Sequence, residues 1–365
     1  MALTLGLLSL ENVRSIRRAE LELHPGRNVI VGANGSGKTS LLEAVFLLGR
    51  GRSFRTRNSD RLITHGESRL VVFGRTLSTE ALAVPVGLGV QVTRGEATVA
   101  KIHGEFARTL TQLSEVLPVQ VIDPGVHRLI EDSAHRRRRW MDWATFHVEH
   151  GFADVWAGYT RTLKQRNAAL KQIATAGGST AAPLDVWDTE LSRLGEQLAG
   201  ARRQMLERLR SHWQTTVLAL TGLNLDLGYF QGWARDVPLS DALAQSRERD
   251  LARGSTHAGP HRGDVILKLN GRLARDTLSR GQQKLAAVSM VLAQLQLLAS
   301  ILPEPPTLLL DDPAAELDAD RLSRFIDLVA PLNCQLVVTA MTASHRPFGA
   351  GDRMFHVEQG RVSRH

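Results

Sequence analysis

Between an apolar strand and an amphipathic helix the chain reads VIVGANGSGKTS, Val29 to Ser40. The pattern G-x-x-x-x-G-K-[ST] in that setting is a phosphate-binding loop. Gly32, Gly35 and Gly37 free the backbone to curl, so that successive N–H groups converge on phosphate at a helix N-terminus. The ATP site is expected to run through Gly32, Ala33, Asn34, Gly35, Ser36, Gly37, Lys38 and Thr39. Lys38 should reach the β and γ phosphates and act in catalysis, and Thr39 should ligate Mg²⁺.

Such a loop needs a carboxylate on a neighbouring strand, and PTLLLDDPAAELD, Pro306 to Asp318, supplies one. Asp311 ends an apolar strand at its carboxyl end, where ligands of α/β proteins bind, and is expected to hold the metal with Thr39. Asp312, next along, is the candidate general base for an attacking water. Between these two motifs stands LSRGQQK, Leu278 to Lys284, a Ser-x-Gly-Gln turn before a long apolar helix. Taken alone it reads as a helix N-cap. Its place between a phosphate loop and a metal-holding strand makes it specific.

The elements that must position these residues follow from periodicity. Leu3 to Leu8, Ala19 to Leu23, Asn28 to Val31 and Leu70 to Phe73 read as strands, as do stretches around Val84 to Val92 and Ala97 to Ile102. From about Glu105 to Leu223 helical spacing prevails, with Ala174 to Asp185 reading as a loop between two helices. From Val265 onward fully apolar strands alternate with helices, which indicates a parallel sheet covered on both faces. The expected architecture is an α/β head with a parallel phosphate-loop sheet and an antiparallel β part, built from 1–104 and 224–365. A helical subdomain, 105–223, is inserted between them.

Composition narrows the function. The chain has 365 residues, and 45 Lys and Arg against 37 Asp and Glu give a net charge of +8, which favours polyanionic partners. No run of about 18 apolar residues suggests a membrane span. MALTLGLLSLENVRSI reads as folded chain, not as a signal peptide, and the single Cys334 fits a reducing, cytoplasmic setting. Two basic stretches stand out. Gly49 to Arg61 carries Arg50, Arg52, Arg55, Arg57 and Arg61 around Phe54, spaced to suit phosphate contacts that position without reading sequence. His135 to Trp143 is helical, so its four arginines cannot all face one way, and one or two should pair with carboxylates or cap helices. Trp140 and Trp143 read as core.

The order of phosphate loop, Ser-x-Gly-Gln and hhhhDD resembles an ABC-type ATPase head. The stretches HRRRRWMDWATFHVEHGF, LKQRNAALKQ, HAGPHRGDV, LSRGQQKL and LLLDDPAAELD are similar to the RecF family over nearly the whole chain. The resemblance implies two heads that meet face to face on ATP, with Ser279, Gly281 and Gln282 acting in trans on the partner's nucleotide. It also implies binding to single-stranded or gapped DNA, action with RecO and RecR in recombinase loading and the SOS response, and a glutamine-loop role for Gln120. A strand glutamine that is merely hydrogen-bonded is the competing reading of Gln120. Ala315, Gly263, Ala340 and Met341 depart from the patterns of such heads, and Asp312 is one methylene shorter than the glutamate of transporter heads. A short base implies slow hydrolysis. An ABC transporter subunit is disfavoured because over two hundred residues separate Thr39 from Leu278. An SMC-like head with a short arm and an ATP-gated scaffold with incidental DNA contact remain the alternatives.

Overall fold

The computed structural model describes residues 4–77, 84–175, 182–303, 305–342 and 352–364. The chain begins as a meander: β1 (Thr4–Val13), β2 (Ile16–Glu22) and β3 (Arg27–Val31) lead into α1 (Lys38–Arg50). Then come β4 (Arg69–Leu77), β5 (Gly87–Thr93), β6 (Val99–Ile102), β7 (Glu105–Phe106), α2 (Thr111–Val116) and β8 (Val119–Ile122). The middle carries α3 (Arg128–Glu131), α4 (Ala134–Val148), α5 (Phe152–Thr175), α6 (Ala182–Thr221), β9 (Asp226–Phe230), α7 (Leu239–Arg253), β10 (Asp264–Leu269), β11 (Arg272–Leu273) and α8 (Ala274–Thr277). The last stretch is α9 (Arg280–Ile301), β12 (Thr307–Leu310), α10 (Pro313–Glu316), α11 (Ala319–Val329), β13 (Leu336–Ala340), β14 (Arg353–Glu358) and β15 (Arg361–Arg364).

Two compact units result: Met1–Val126 with Val291–His365, and His127–Met290. The first holds two sheets. One is antiparallel in the order β2-β1-β4-β5-β6-β7; the other runs β15-β14-β3-β13-β12-β8, parallel except at β15. Helix α1 is apolar nearly all round because it lies between them. Leu41, Leu42, Val45 and Leu48 share one core with Leu8, Leu70 and Val90 of the antiparallel sheet and Leu309 and Val337 of the parallel one. Thr39 is the one residue from Lys38 to Gly49 that is not buried.

In the second unit α5 packs along the 40-residue α6, about 60 Å long. Tyr159, Leu191, Leu198, Trp233, Leu239 and Leu243 form its core. Arg166, fully buried, is neutralised there by Asp188 at 2.5 Å and Asp250 at 2.8 Å. A small sheet, β11-β10-β9, completes it.

These units revise the expected boundaries. Residues 105–126 belong with the first unit, because β8 pairs in parallel with β12 as a strand of the phosphate-loop sheet. Residues 224–290 belong with the second, because β9, β10 and β11 pair only with one another. The expected loop Ala174 to Asp185 falls mostly outside the described residues. Helix α9 is long and apolar enough by composition to cross a membrane, yet most of it is buried within the protein, as a core helix is.

Candidate functional site

The phosphate loop leaves β3 at Gly32 and enters α1 at Lys38. Gly35 and Gly37 have φ of 77° and 118°, the left-handed region open to glycine at little cost. Gly32 is required for another reason: a Cβ there would lie 2.2 Å from the Val357 carbonyl oxygen of β14. Lys38 folds back over the loop and donates to the carbonyls of Gly32 at 2.6 Å and Ala33 at 2.9 Å. Burial lowers its pKa, partly opposed by Asp312 and Asp311. Among the described residues the buried Ser36 hydroxyl has no hydrogen-bond partner, which leaves it for a ligand. The turn between β14 and β15 braces the loop from behind, the Gly360 N–H donating to the Ser36 carbonyl at 2.9 Å.

Parallel pairing carries Asp311 to this loop. With β12 beside β13 and β13 beside β3, the ends of three strands converge. The Thr39 hydroxyl donates to Asp311 at 2.9 Å from Oδ1 and 3.1 Å from Oδ2. Thr339 of β13 donates to Asp311 Oδ1 at 2.9 Å and accepts the Asp312 N–H at 2.8 Å. Asp312 has φ 48°, an unusual conformation for a residue with a Cβ, and stands at the N-cap position of α10 ahead of Pro313 without a side-chain capping bond. A hydroxyl and a carboxylate in contact at the mouth of an N–H cradle are the hard oxygen donors that Mg²⁺ takes, so the residues fit that ion.

Gln120 is not brought to this cluster. Its register partner on β12 is Leu308, three positions before Asp311 and so about 10 Å down the strand. It is buried and donates to Gln294 at 3.0 Å, a strand glutamine satisfied inside the protein.

Ser279, Gly281 and Gln282 stand at the start of α9. The Ser279 hydroxyl accepts the Gln282 N–H at 3.3 Å, and the Gln282 side chain accepts the Ser279 N–H at 2.9 Å, a reciprocal capping box. The Arg280 side chain is 92% exposed, Ser279 and Gly281 are exposed, and a Cβ at Gly281 would meet nothing within 4 Å. The turn is held by its own capping box and presented to solvent.

The basic stretch after α1 is anchored by a residue that the sequence reading passed over. Buried Glu43 of α1 pairs with Arg14 at 2.9 Å and 3.0 Å, accepts from Ser53 at 2.5 Å and lies 3.5 Å from Arg55. A lone carboxylate within SLLEAVFLLG is the signal that marked it. Arg52 and Arg57 are exposed, while Arg50 lies 5.5 Å from the Phe46 ring centre. The second basic stretch is mostly structural. Arg137 grips Asp264 at 2.8 Å and 3.0 Å, Arg136 pairs with Asp132, and Arg138 donates to the Gly263 carbonyl at 2.7 Å. Trp140 and Trp143 are buried.

His261 is half-buried in the second unit, and Arg262 beside it is exposed. The Tyr159 hydroxyl donates to His261 Nδ1 at 2.6 Å, and His261 Nε2 donates to the Thr256 carbonyl at 3.0 Å, which Arg262 also contacts. Burial holds the imidazole down to about pKa 4.

A nucleotide loop, a threonine-held acidic strand end and a capped Ser-x-Gly-Gln helix on this topology define an ABC-type ATPase head. The RecF/RecN/SMC N-terminal domain family matches residues 4–363. Relatives named DNA replication and repair protein RecF are 36% identical in Vibrio parahaemolyticus (98% of this chain, 99% of the relative) and 37% identical in Stutzerimonas stutzeri (99% and 97%). The recombination mediator protein RecF solved as RecF-ATP is 27% identical at TM-score 0.90, covering 100% of this chain and 98% of that one. An Smc head domain from Pyrococcus furiosus shares the fold at 16% identity and TM-score 0.60, covering 99% of this chain and 96% of that one. The chain belongs to the RecF family.

Proposed function

We propose that this protein is a cytoplasmic ABC-type ATPase of DNA replication and repair that uses ATP to pair two copies of itself on single-stranded or gapped DNA. The observation that carries this reading is the Thr39–Asp311–Thr339 cluster at the mouth of the phosphate loop. ATP lies with its phosphates on the loop's N–H groups, and Lys38 exchanges the Gly32 and Ala33 carbonyls for the β and γ phosphates. Thr39 and Asp311 would hold Mg²⁺, which would supply charge neutralisation for the phosphates. Water adds to the γ phosphorus, the bond to the β-bridging oxygen breaks, and Asp312 takes the water's proton. The exposed start of the partner's α9, with Ser279 and Gly281, faces that γ phosphate.

A base one methylene short makes hydrolysis slow, below the ordinary enzyme turnover of about 10 per second, so ATP times the dimer more than it drives motion. Action with RecO and RecR in recombinase loading and the SOS response is part of this proposal, and likeness to RecF proteins supports it. The experiment is solution mass by light scattering with Mg²⁺ and either ADP or ATP, for wild type and Ser279→Arg. A monomer with ADP that doubles with ATP, and does not double in the variant, supports the reading. A monomer under both nucleotides sinks ATP-driven pairing.

A further inference from the structure

The antiparallel sheet of the first unit buries one face against α1 and leaves the other open, and the open face has the composition of a nucleic-acid platform. In β4 the residues Leu70, Val72, Gly74 and Thr76 are buried, which turns Arg69, Val71, Phe73 and Arg75 outward. Register then sets cross-strand rows. Phe73 pairs with Gly89, Gly89 with Lys101, and Lys101 with Phe106. The next row is Arg75 with Gly87, and beyond Phe73 on the other side Val71 stands beside Gln91 and Val99.

Three features distinguish this face from an ordinary solvated sheet. Phe73 is 40% exposed and Phe106 69% exposed, a heavy exposure of aromatic surface for residues on a sheet. Between them Gly89 opens a trough: a Cβ there would meet only the Lys101 Cβ, at 4.0 Å, and the Phe73 ring lies over Gly87. Within β4–β7 the outward positions carry Arg69, Arg75 and Lys101 and no Asp or Glu; the acids of this face, Glu11, Glu20 and Glu22, stand on β1 and β2. The Lys101 ammonium lies 4.6 Å from the Phe106 ring centre. Phe73 and Phe106 are three strand spacings apart, about 14 Å, with side-chain-free backbone next to Phe73. Aromatic rings on a basic sheet stack unpaired bases, whereas duplex DNA hides its base faces. A protein partner would use the same apolar surface, but it gives no reason for the cations of β4–β7 to flank the two rings.

We infer that the open face of β4–β7 binds an unpaired nucleic-acid strand, with bases stacked on Phe73 and Phe106 and phosphates on Arg69, Arg75 and Lys101. This rests on the DNA-binding reading above and specifies where the single strand lies.

The test uses the full chain with ATP and Mg²⁺, a fluorescent 20-nucleotide oligo-dT and a duplex of equal length, read by anisotropy at fixed low salt. Phe73→Ala with Phe106→Ala should weaken oligo-dT binding about tenfold or more and leave duplex binding within about twofold, since stacking is worth that much per base. Gly89→Val suits a strand, adds no charge, and should weaken oligo-dT binding similarly by filling the trough. Photocrosslinks from 5-iododeoxyuridine should fall on the peptides carrying Phe73 or Phe106. Wild type that binds neither DNA overturns the DNA-binding reading itself. Wild type that binds oligo-dT equally with both variants, or variants that lose only a protein partner, overturn the platform while leaving that reading intact.

Discussion

Thr339 governs two acids with one hydroxyl, donating to the Asp311 carboxylate and accepting the Asp312 N–H. Thr339→Val keeps the shape and removes both bonds, each worth about 1 kcal/mol and more where a charge is involved. ATP hydrolysis should fall about tenfold with nucleotide affinity nearly kept, and Thr339→Ser should restore it; phosphate release and nucleotide titration check both. His261 answers to pH. Its imidazole takes a proton near pH 6.5 when unfolded and near 4 when folded, because burial opposes the charge and Arg262 and Arg138 repel it. Between those values the unfolded chain binds more protons, so stability drops as pH falls through that window, by up to about 3 kcal/mol. Melting temperature measured from pH 6.5 to 4.5 should fall less steeply in His261→Gln. Equal slopes would remove His261 as the cause.

At the scale of elements, the buried Arg166 fixes α5 against α6 and α7 through Asp188 and Asp250. Arg166→Met strands those carboxylates and should cost about 3–5 kcal/mol, read as a lowered urea midpoint of unfolding. The β14–β15 turn matters to the nucleotide in the same structural sense. Gly360 has φ 77°, and a Cβ there would lie 2.2 Å from the Ser15 carbonyl oxygen. Gly360→Ala must withdraw the turn from Ser36, at a strain of about 1–3 kcal/mol, and should weaken binding of a fluorescent ATP analogue about tenfold. Unchanged affinity would uncouple the hairpin from the loop. What was legible in the sequence was what is local. The phosphate loop, Asp311 at its strand end and the Ser279–Gln282 turn each carry their chemistry within a dozen residues. Thr339 and Glu43 were missed because their partners are set by strand register and by the packing of α1, not by spacing. Gln120 was misplaced for the same reason: only the pairing with Leu308 shows that it lies below the site. The boundary at 104 failed because β8 finds its neighbour β12 across the whole middle of the chain.

For the whole molecule, a net charge of +8 and an arginine-rich loop tied to Glu43 are expected to set the salt response of DNA binding. Arg55→Ala with Arg57→Ala should weaken duplex and single-strand binding alike and flatten the plot of log affinity against log salt by about two counterions. An unaltered slope would take this loop out of the contact surface.

The strand order also times the protein's maturation. The strand that leads into the phosphate loop, β3, sits between β13 and β14, which are made some three hundred residues later. At about 5–20 residues per second, a ribosome needs on the order of 15–60 s to supply those neighbours. Meanwhile His127–Met290 emerges as one uninterrupted stretch and can fold on the ribosome. A nascent chain, or one cut short by a premature stop, therefore lacks both flanks of its nucleotide loop. Only copies that carry β13 and β14 can complete both flanks of that loop, so translation itself screens which copies own a finished phosphate cradle.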